Sequence, residues 1–498
     1  MPPLICLLLL ASVISGGDSA LRFAASYGDH MVLQASPYRA VIWGHVDNDN
    51  VTVSVFVKGH ETAPVYSISS NGIWKVQLPA WSSSSTEAPY TITATSSEGN
   101  ASIHDVLFGD VWVCSGQSNM GVPMSWINNT AYEINKALAF DKIRIFQVHA
   151  FESSVPLTDL HSIQTKWTAP TKETVPGFSA LCLLYAEYIY THKKQPIGLI
   201  ETEWGGTSVE AWSGPDALKE CEEHKAKRGP RAGSVLWNSM VIPLLPQTIY
   251  GAIWYQGESN THNSDQYACL FPSMIKDWRL KFHQASMGAT NQNFPFGFVQ
   301  LAGNQNDSSR IAGFPAIRWS QTAKYGYAPN PKMPYTFMAV AMDLPDFKSP
   351  HGFVHPRYKQ DVAERLGLAG LAVAYGEKGL SYQGPYPTSF NTKTKDQLVI
   401  EYNHGHTVLD VRSNNGFEIC CSPSTHPTTC AVHDHWAPAP MSAHHGTTVT
   451  LNTTGCHPKW ITGLRYAWRE SPCEFKKCAV YGKENDLPAP PFIKYIPF

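Results

Sequence analysis

A turn rich in small polar residues follows an apolar stretch near residue 115. Val111-Trp112-Val113 is a run of the kind that forms a buried strand, and Ser115-Gly116-Gln117-Ser118-Asn119 is typical of a turn. At the carboxyl end of a strand and the start of a helix, α/β sheets place their reacting groups. The N–H groups of the helix start also suit a developing oxyanion. Ser118 is therefore a candidate nucleophile, the alternative being that it only caps a helix.

Three further predicted strand ends carry groups that complement a nucleophile. Trp204-Gly205-Gly206-Thr207 contains paired glycines, which let the backbone approach a ligand closely. Gln256-Gly257-Glu258-Ser259-Asn260 supplies amides and a carboxylate, and His355 follows Asp343 and Asp346 in a third segment. A hydroxyl, an imidazole, carboxylates, a glycine N–H and a carboxamide are the parts that acyl transfer requires.

Two amides compete for the role of oxyanion donor. Gln256 directly follows the apolar Ile253-Trp254-Tyr255 run, so it is expected at the strand end and facing the crevice. Asn260 lies within the next turn, where it can serve as a helix cap instead. Because no G-x-S-x-G surrounds Ser118, the nucleophile elbow of the lipase-type α/β-hydrolases is excluded.

Apolar segments alternate with helical segments from residue 106 to residue 380. Strands are predicted at Val111–Cys114, Lys142–Val148, Pro196–Thr202, Ile249–Tyr255, Phe294–Leu301 and Tyr335–Met342. Helices are predicted at Ala180–Lys193, Val235–Leu245, Tyr267–His283 and Pro356–Tyr375. This alternation predicts an α/β domain with a mostly parallel sheet flanked by helices. Neither glycine-rich nucleotide-binding motif follows a strand, so nucleotide binding has no support.

The regions on either side have β character. Short alternating strands predict a sandwich-like β domain over residues 21–105, and residues 381–498 form a second, cysteine-rich β region. Six cysteines crowd this last region: Cys420, Cys421, Cys430, Cys456, Cys473 and Cys478. We expect disulfides there. Histidines nearby (His426, His433, His435, His444, His445 and His457) raise the alternative of a zinc site, which the lack of paired CxxC motifs disfavours.

The start of the chain predicts entry into the secretory pathway. Leu4–Ile14 is apolar, and small residues follow it up to Ala20, so residues 1–20 are expected to be a signal peptide. Asn50, Asn100, Asn128, Asn306 and Asn452 stand in glycosylation sequons. The 38 Lys and Arg against 40 Asp and Glu give no basic footprint for nucleic acid. No later stretch is apolar over a length that would span a bilayer.

Four ordered motifs resemble those of the SGNH-type carbohydrate esterases, in particular the animal enzymes that act on sialic acids. They are Ser115-Gly116-Gln117-Ser118-Asn119-Met120, Trp204-Gly205-Gly206-Thr207, Trp254-Tyr255-Gln256-Gly257-Glu258-Ser259-Asn260 and His355-Pro356. The resemblance runs from about residue 21 to the C-terminus. It implies an SGNH-hydrolase-like domain that hydrolyses O-acetyl esters of sialic acids or sialoglycans, with the 9-O-acetyl ester as the expected substrate. It also implies no metal or cofactor, and a lysosomal or secreted setting.

Residue roles follow from the resemblance by motif. Ser118 is the nucleophile and His355 its general base and acid, and the Ser118 N–H, the Gly206 N–H and the Gln256 side chain form the oxyanion hole. Many SGNH enzymes carry an aspartate three residues before the histidine, where this chain has Gly352. Asp346 is the first candidate to orient His355, and Asp343 is the second. A Ser-His dyad held by a backbone carbonyl is a third possibility.

Two other functions remain open at this stage. One is an acetylesterase for a different acetylated carbohydrate, since one fold hosts several acyl substrates. The other is a sugar-binding glycoprotein that has lost the chemistry, which the presence of both Ser118 and His355 disfavours.

Overall fold

The computed structural model describes residues 20–58, 63–84, 89–221, 233–394, 396–422, 430, 436–457 and 459–495. The predicted signal peptide lies outside these residues except for Ala20. In the described part of the chain the helices are α1 (Thr130–Ala137), α2 (Ala180–Lys193), α3 (Val209–Trp212), α4 (Pro215–Glu220), α5 (Ser264–Ala285), α6 (Phe314–Gln321) and α7 (Lys359–Val373).

The strands fall into three regions. The first eight are β1 (Arg22–Phe23), β2 (Val32–Gln34), β3 (Val41–His45), β4 (Thr52–Lys58), β5 (Val65–Ile68), β6 (Ile73–Gln77), β7 (Tyr90–Ser96) and β8 (Gly99–Gly116). The next six are β9 (Ile143–Val148), β10 (Ile163–Thr168), β11 (Ile197–Glu203), β12 (Gly251–Tyr255), β13 (Phe296–Gln300) and β14 (Thr336–Val340). The last are β15 (Pro387–Thr394), β16 (Gln397–Tyr402), β17 (Leu409–Val411), β18 (Phe417–Ser422), β19 (Trp436–Pro438), β20 (Met441–His445), β21 (Thr448–Asn452), β22 (Trp460–Tyr466), β23 (Val480–Gly482) and β24 (Phe492–Tyr495).

A mostly parallel sheet forms the centre of the molecule. Its strand order is β10-β9-β11-β8-β12-β13-β14, and only the edge strand β10 runs antiparallel to its neighbour. The predicted α/β class is therefore confirmed. After β8 the chain adds β9, β10 and β11 on one side of that strand, and later β12, β13 and β14 on the other. The end of β8 is thus a switch point, where open sheets of this type bind ligands.

The buried half of β8 anchors this arrangement. Val111, Trp112, Val113 and Cys114 are each 1% exposed or less. The Trp112 ring packs edge-on against Tyr185 of α2 with centroids 5.1 Å apart, and the Cys114–Cys182 disulfide joins β8 to the same helix. The strand that carries the serine turn is therefore held by packing and by a covalent bond.

One segment predicted to be an α-helix does not form a regular α-helix. The Val235–Leu245 segment forms a π-helical turn, Trp237–Val241, followed by a 3-10 turn, Ile242–Leu244. Pro243 lies in this segment, and proline lacks the N–H that would continue an α-helical ladder. Helix α2, by contrast, has the predicted bounds.

The β regions at both ends are joined to the central sheet. Strand β2 pairs parallel and β7 antiparallel with the first part of β8, so the boundary expected at residue 105 falls inside one continuous strand. The C-terminal region contains two four-stranded antiparallel sheets, β15-β16-β21-β20 and β19-β18-β22-β24. These accessory β regions confirm that part of the predicted fold.

Five disulfides join the ten cysteines of the described residues, as is typical of proteins that fold in an oxidising compartment. They are Cys114–Cys182, Cys221–Cys269, Cys420–Cys430, Cys421–Cys456 and Cys473–Cys478. The six C-terminal cysteines are therefore not free thiolates for zinc, and the described residues contain no cluster of three potential ligands. His426, His433 and His435 lie outside the described residues. Among the helices that the structure describes, none combines the length and the apolar character needed to cross a membrane.

Gly116 at the end of β8 predicts a stability effect. Its φ is +140°, and a Cβ there would lie 2.3 Å from the Tyr255 carbonyl oxygen. Gly116→Ala should lower the free energy of unfolding by about 2–6 kcal/mol, from backbone strain and overpacking together. Chemical denaturation measures this. Gly28→Ala is the control, because a Cβ at Gly28 meets nothing within 4 Å. Equal stability of the two variants would contradict the assigned constraint.

Candidate active site

Ser118 and His355 meet although 237 residues separate them in sequence. The distance between Ser118 Oγ and His355 Nε2 is 2.9 Å, and both side chains are partly buried. Ser118 lies just beyond β8, and His355 lies in the loop between β14 and α7. The carboxyl ends of parallel strands meet at one edge of the sheet, which brings these two loops together. The contact has the geometry of a nucleophile and its general base.

A backbone carbonyl sets the tautomer of His355. The second ring nitrogen, Nδ1, is 2.8 Å from the His351 carbonyl oxygen. Because a carbonyl only accepts hydrogen bonds, Nδ1 carries the hydrogen, and in the neutral ring Nε2 is then the acceptor for the Ser118 hydroxyl. The His351 ring stacks on Trp126 with centroids 4.0 Å apart and planes 4° apart, which braces the residue that supplies this carbonyl.

The surroundings of His355 favour its neutral form. Burial is the main cause that lowers the pKa of His355. The hydrogen bond to the His351 carbonyl opposes this effect, whereas the charges of Lys359 and His351 add to it. A base that stays neutral at lower pH remains able to accept a proton there.

Neither candidate aspartate contacts His355. Asp346 accepts hydrogen bonds from Arg357 Nε at 2.6 Å and from Arg357 Nη2 at 3.0 Å. Burial alone would raise the pKa of Asp346, but the hydrogen bonds from Arg357 outweigh it and the pKa lies below its usual value. Asp343 is bound by Arg365 at 2.6 and 2.9 Å and by the Tyr481 hydroxyl at 2.9 Å. Since the position of Gly352 supplies no carboxylate either, the His351 carbonyl is the group that holds His355 in this structure.

Asp346 instead closes the loop of residues 341–358, the histidine loop. Its ion pair with Arg357 joins the two ends of the segment that contains His355. Within the loop, Ser349 Oγ donates to the His355 carbonyl at 2.8 Å, and the His355 N–H donates to the Gly352 carbonyl at 3.0 Å. The carboxylate therefore acts on the histidine through the shape of the loop.

The paired glycines after β11 approach the serine closely. A Cβ on Gly205 would lie 3.3 Å from Ser118 Cβ, and Gly206 has a φ of +73°. The structure thus places the Gly205 backbone beside Ser118, with the Gly206 turn directly after it. A side chain at either position would crowd the serine or strain the turn.

Gln256 directly follows β12, as expected, but its amide is used inside the protein. It has no exposed surface, and its Nε2 donates to Asn260 Oδ1 at 2.7 Å and to the Thr207 carbonyl at 3.2 Å. Asn260 Oδ1 also accepts from the Val209 N–H at 3.0 Å, and Asn260 Nδ2 donates to Glu210 Oε2 at 2.8 Å. Asn260 therefore holds Gln256, and Gln256 holds the loop of residues 204–208, the glycine loop. Both side-chain N–H groups of Gln256 are used inside the protein.

Sequence reasoning assigned no individual role to three buried or partly buried groups behind the site, although it placed the Glu258 carboxylate at a strand end. Asn119 directly follows Ser118 and bonds Glu258 and Lys359. Asn119 and Glu258 both stand inside the motifs that carried the resemblance, which was the available signal. Lys359 is the first residue of α7, four residues after His355, and nothing in its sequence neighbourhood predicts that its ammonium is buried.

The predicted glycosylation sites differ in exposure. Asn50, Asn100 and Asn306 are exposed, whereas Asn128 and Asn452 are half-buried. The Asn128 carbonyl accepts from Gln360 Nε2 at 2.6 Å, beside the histidine loop. Glycosylation at these five asparagines stays a prediction, and the three exposed ones are the most accessible.

Comparisons with known proteins agree with the class that this fold and site define, the carbohydrate esterases. The family model described as "Carbohydrate esterase, sialic acid-specific acetylesterase" matches residues 108–355. A model of the sialate O-acetylesterase C-terminal domain matches residues 388–496. The structure is similar to the crystal structure of a carbohydrate acetylesterase from Xanthomonas citri, with a TM-score of 0.80, 26% identity and coverage of 95% of this chain and 99% of that one.

Full-length relatives narrow the class to a family. The chain is 41% identical to the sialate O-acetylesterase of Homo sapiens and 40% identical to that of Mus musculus. Each alignment covers 99% of this chain and 97% of the relative. The chain therefore belongs to the sialate O-acetylesterase family and is a carboxylic ester hydrolase.

Because Gln256 and Asn260 are joined by a hydrogen bond, substitutions of the two residues should have effects that do not add up. Gln256→Ala removes the donor to the Thr207 carbonyl, and Asn260→Ala removes the acceptor that holds Gln256 Nε2. Each variant should therefore lower kcat by about 10²-fold, because the glycine loop is misplaced. The kcat of the double variant should be no lower than that of the less active single variant, since the two amides act through one contact. Steady-state kinetics with a thermal melt on each variant measures this. Asn330→Ala, which removes a buried amide bonded to Thr322 and Tyr327, is the control. Losses that multiply would contradict this coupling.

Proposed function

We propose that this protein hydrolyses O-acetyl esters of sialic acids through an acetyl-enzyme on Ser118. The observation that carries the mechanism is the 2.9 Å contact between Ser118 Oγ and His355 Nε2, with Nδ1 held by a carbonyl. The substrate class rests on the relatives, which are named sialate O-acetylesterases. Within that class the 9-O-acetyl ester is the proposed substrate.

In the first half-reaction, His355 Nε2 accepts the hydroxyl proton as Ser118 Oγ attacks the acetyl carbonyl carbon. The tetrahedral intermediate collapses when the bond to the sugar oxygen breaks, and His355 gives its proton to that oxygen. The sugar leaves with a free hydroxyl, and the acetyl group remains on Ser118 as an ester. Holding nucleophile and base at this distance makes the proton transfer part of a single bound geometry.

In the second half-reaction, water takes the place of the sugar. His355 Nε2 accepts a proton from this water as the water oxygen attacks the acetyl carbonyl. The bond to Ser118 Oγ then breaks, His355 returns the proton to Oγ, and acetic acid leaves with the second proton of the water, which it releases to solvent as acetate. Every proton on the enzyme moves between Nε2 and an oxygen, so no carboxylate of the protein has to become protonated.

The oxyanion of both intermediates is proposed to lie between the Ser118 N–H and the Gly206 N–H. The support is the close approach of Gly205 to Ser118 Cβ and the turn that follows it at Gly206. Gln256 contributes by holding the Thr207 carbonyl next to that turn. This assigns Gln256 to the oxyanion hole as a residue that shapes it.

The five disulfides and the predicted signal peptide support a site of action on the secretory route. A lysosomal setting agrees with a base whose pKa lies below its usual value. A secreted enzyme is the other form of the same proposal.

Ser118→Ala should abolish turnover while the fold stays intact. Loss of the nucleophile in such a unit lowers kcat by about 10⁴–10⁶-fold. Acetate release from 9-O-acetylated sialic acid measures this, beside a thermal melt, with acetylated xylan fragments as the competing substrate. Folded Ser118→Ala with more than about a tenth of the wild-type rate would contradict the nucleophile. A wild-type preference for xylan would leave the mechanism in place and overturn the substrate.

The pH dependence of the activity should follow the protonation of His355. Activity requires neutral His355, so kcat/KM should fall as pH decreases through the pKa of this residue. Because that pKa is lowered, the acidic limb should lie below about 6.5, the ordinary value for histidine. A pH profile of kcat/KM on wild-type enzyme measures it. A limb above that value would show that the ring is not shielded as the structure has it.

A further inference from the structure

A chain of buried polar groups lies directly behind Ser118 and His355. Asn119, which is 1% exposed, donates from Nδ2 to Glu258 Oε1 at 2.6 Å and to the Val354 carbonyl at 2.8 Å. Its Oδ1 accepts from Lys359 Nζ at 2.9 Å. One side chain thus connects the nucleophile turn, the loop after β12 and the histidine loop.

The chain holds the backbone on both sides of His355. Asn119 binds the carbonyl of Val354, the residue before the histidine, and Lys359 Nζ binds the carbonyl of Pro356, the residue after it, at 2.8 Å. Two carbonyls of one segment are therefore fixed by groups that themselves bond each other. On the other side of the serine, Gln117 Oε1 accepts from the Ser259 N–H at 3.3 Å. These contacts together fix the position of the serine turn relative to the segment that carries His355.

Lys359 has no exposed surface, which is costly for an ammonium group unless its donors are used. Two of its three donors bind Asn119 and Pro356, and Nζ lies 5.4 Å from the centroid of the Tyr255 ring. Burial lowers the pKa of Lys359 to about 7, which the carboxylate of Glu258 opposes. Glu258 Oε2 is buried and has no hydrogen-bond partner among the described residues. Burial also raises the pKa of Glu258, and in their ionised forms the two groups compensate each other's charge across Asn119 without touching.

We propose that Asn119 and Lys359 are positioning residues, which set His355 Nε2 at hydrogen-bonding distance from Ser118 Oγ in place of an orienting carboxylate. The proposal rests on the roles of Ser118 and His355 proposed above. Among the described residues, His355 Nδ1 hydrogen-bonds only to the carbonyl of His351, and the next two residues of that loop, Gly352 and Phe353, are exposed. A loop of this kind requires a second restraint on its backbone, and the two flanking carbonyls receive it.

The test separates positioning from folding with a charge-matched pair of substitutions. Lys359→Met should lower kcat by about 10²-fold, the cost of an ångström-scale misplacement, with KM little changed. It should also lower Tm, because the Glu258 carboxylate is left uncompensated. In Lys359→Met/Glu258→Gln the uncompensated charge is gone, while the glutamine oxygen still accepts from Asn119. We expect this double variant to recover Tm and to retain the loss of kcat.

A lysine that pairs with another buried carboxylate is the control. Lys136 Nζ lies 2.8 Å from Glu187 Oε2, and the lysine itself is exposed while Glu187 is buried. Lys136→Met should lower Tm without changing kcat. The rate of inactivation by a serine-directed organophosphorus reagent should fall in Lys359→Met/Glu258→Gln by the same factor as kcat, since the reagent needs only Ser118 and its base.

A pH profile adds a measurement that loss of stability would not move. His355 hydrogen-bonds to Ser118 and lies beside the Trp126 ring, and the charges of Lys359 and His351 act on it. Glu258 is joined to the same segment through Asn119, and the Asp346–Arg357 pair closes the loop around it. The positive charge of Lys359 lowers the pKa of His355, so Lys359→Met should move the acidic limb of kcat/KM to higher pH. In Lys359→Met/Glu258→Gln the limb should move less, because a negative charge is removed as well.

Wild-type kcat in folded Lys359→Met/Glu258→Gln would overturn the positioning role. So would an unmoved acidic limb in Lys359→Met. Neither result would affect the proposed function as long as Ser118→Ala is inactive. Activity in Ser118→Ala would instead overturn the proposed function itself.

Discussion

The active site depends on the end of β8, where three parallel strands stop at the same level. Gly116 pairs with Glu203 of β11 on one side and with Tyr255 of β12 on the other. The backbone there lies so close to the Tyr255 carbonyl that no Cβ fits, and the chain turns out of the sheet immediately afterwards. That turn delivers Ser118 to the edge at which the glycine loop and the loop after β12 also emerge. Burial of β8 and its disulfide to α2 hold the turn in place from below.

The second element of the site is a loop whose histidine is oriented by a neutral group. His355 is oriented by a carbonyl, and the segment around it is closed by the Asp346–Arg357 pair and contacted by Asn119 and Lys359. A carbonyl stabilises a protonated ring less than an adjacent carboxylate would, because it carries no formal charge. This agrees with a pKa of His355 below its usual value, for which burial is the main cause. The loop therefore favours a base that stays neutral on acidification.

The C-terminal β region is part of the same support. Tyr481 of β23 donates to Asp343, which follows β14 and is itself bound by Arg365 of α7. The Lys476 N–H donates to the Asp343 carbonyl at 2.7 Å. The beginning of the histidine loop is thus packed between the central sheet and the C-terminal region. Asp343 contributes to the site through this contact, at a distance from the reacting atoms.

Local sequence pattern determined much of this protein. The alternation of apolar strands with helices predicted the sheet, and turn residues after strands identified Ser118, the Gly205-Gly206 pair and His355, because these signals lie within a few neighbouring residues. The tertiary structure decided which groups meet. Asp346 binds Arg357, the His351 carbonyl takes the place of a carboxylate, and the Gln256 amide is used by Asn260 and Thr207. The buried ammonium of Lys359 meets Asn119 across 240 residues of chain. Such pairings depend on where distant loops come together and on which donor is nearest, and neither quantity is encoded in the spacing of residues along one segment.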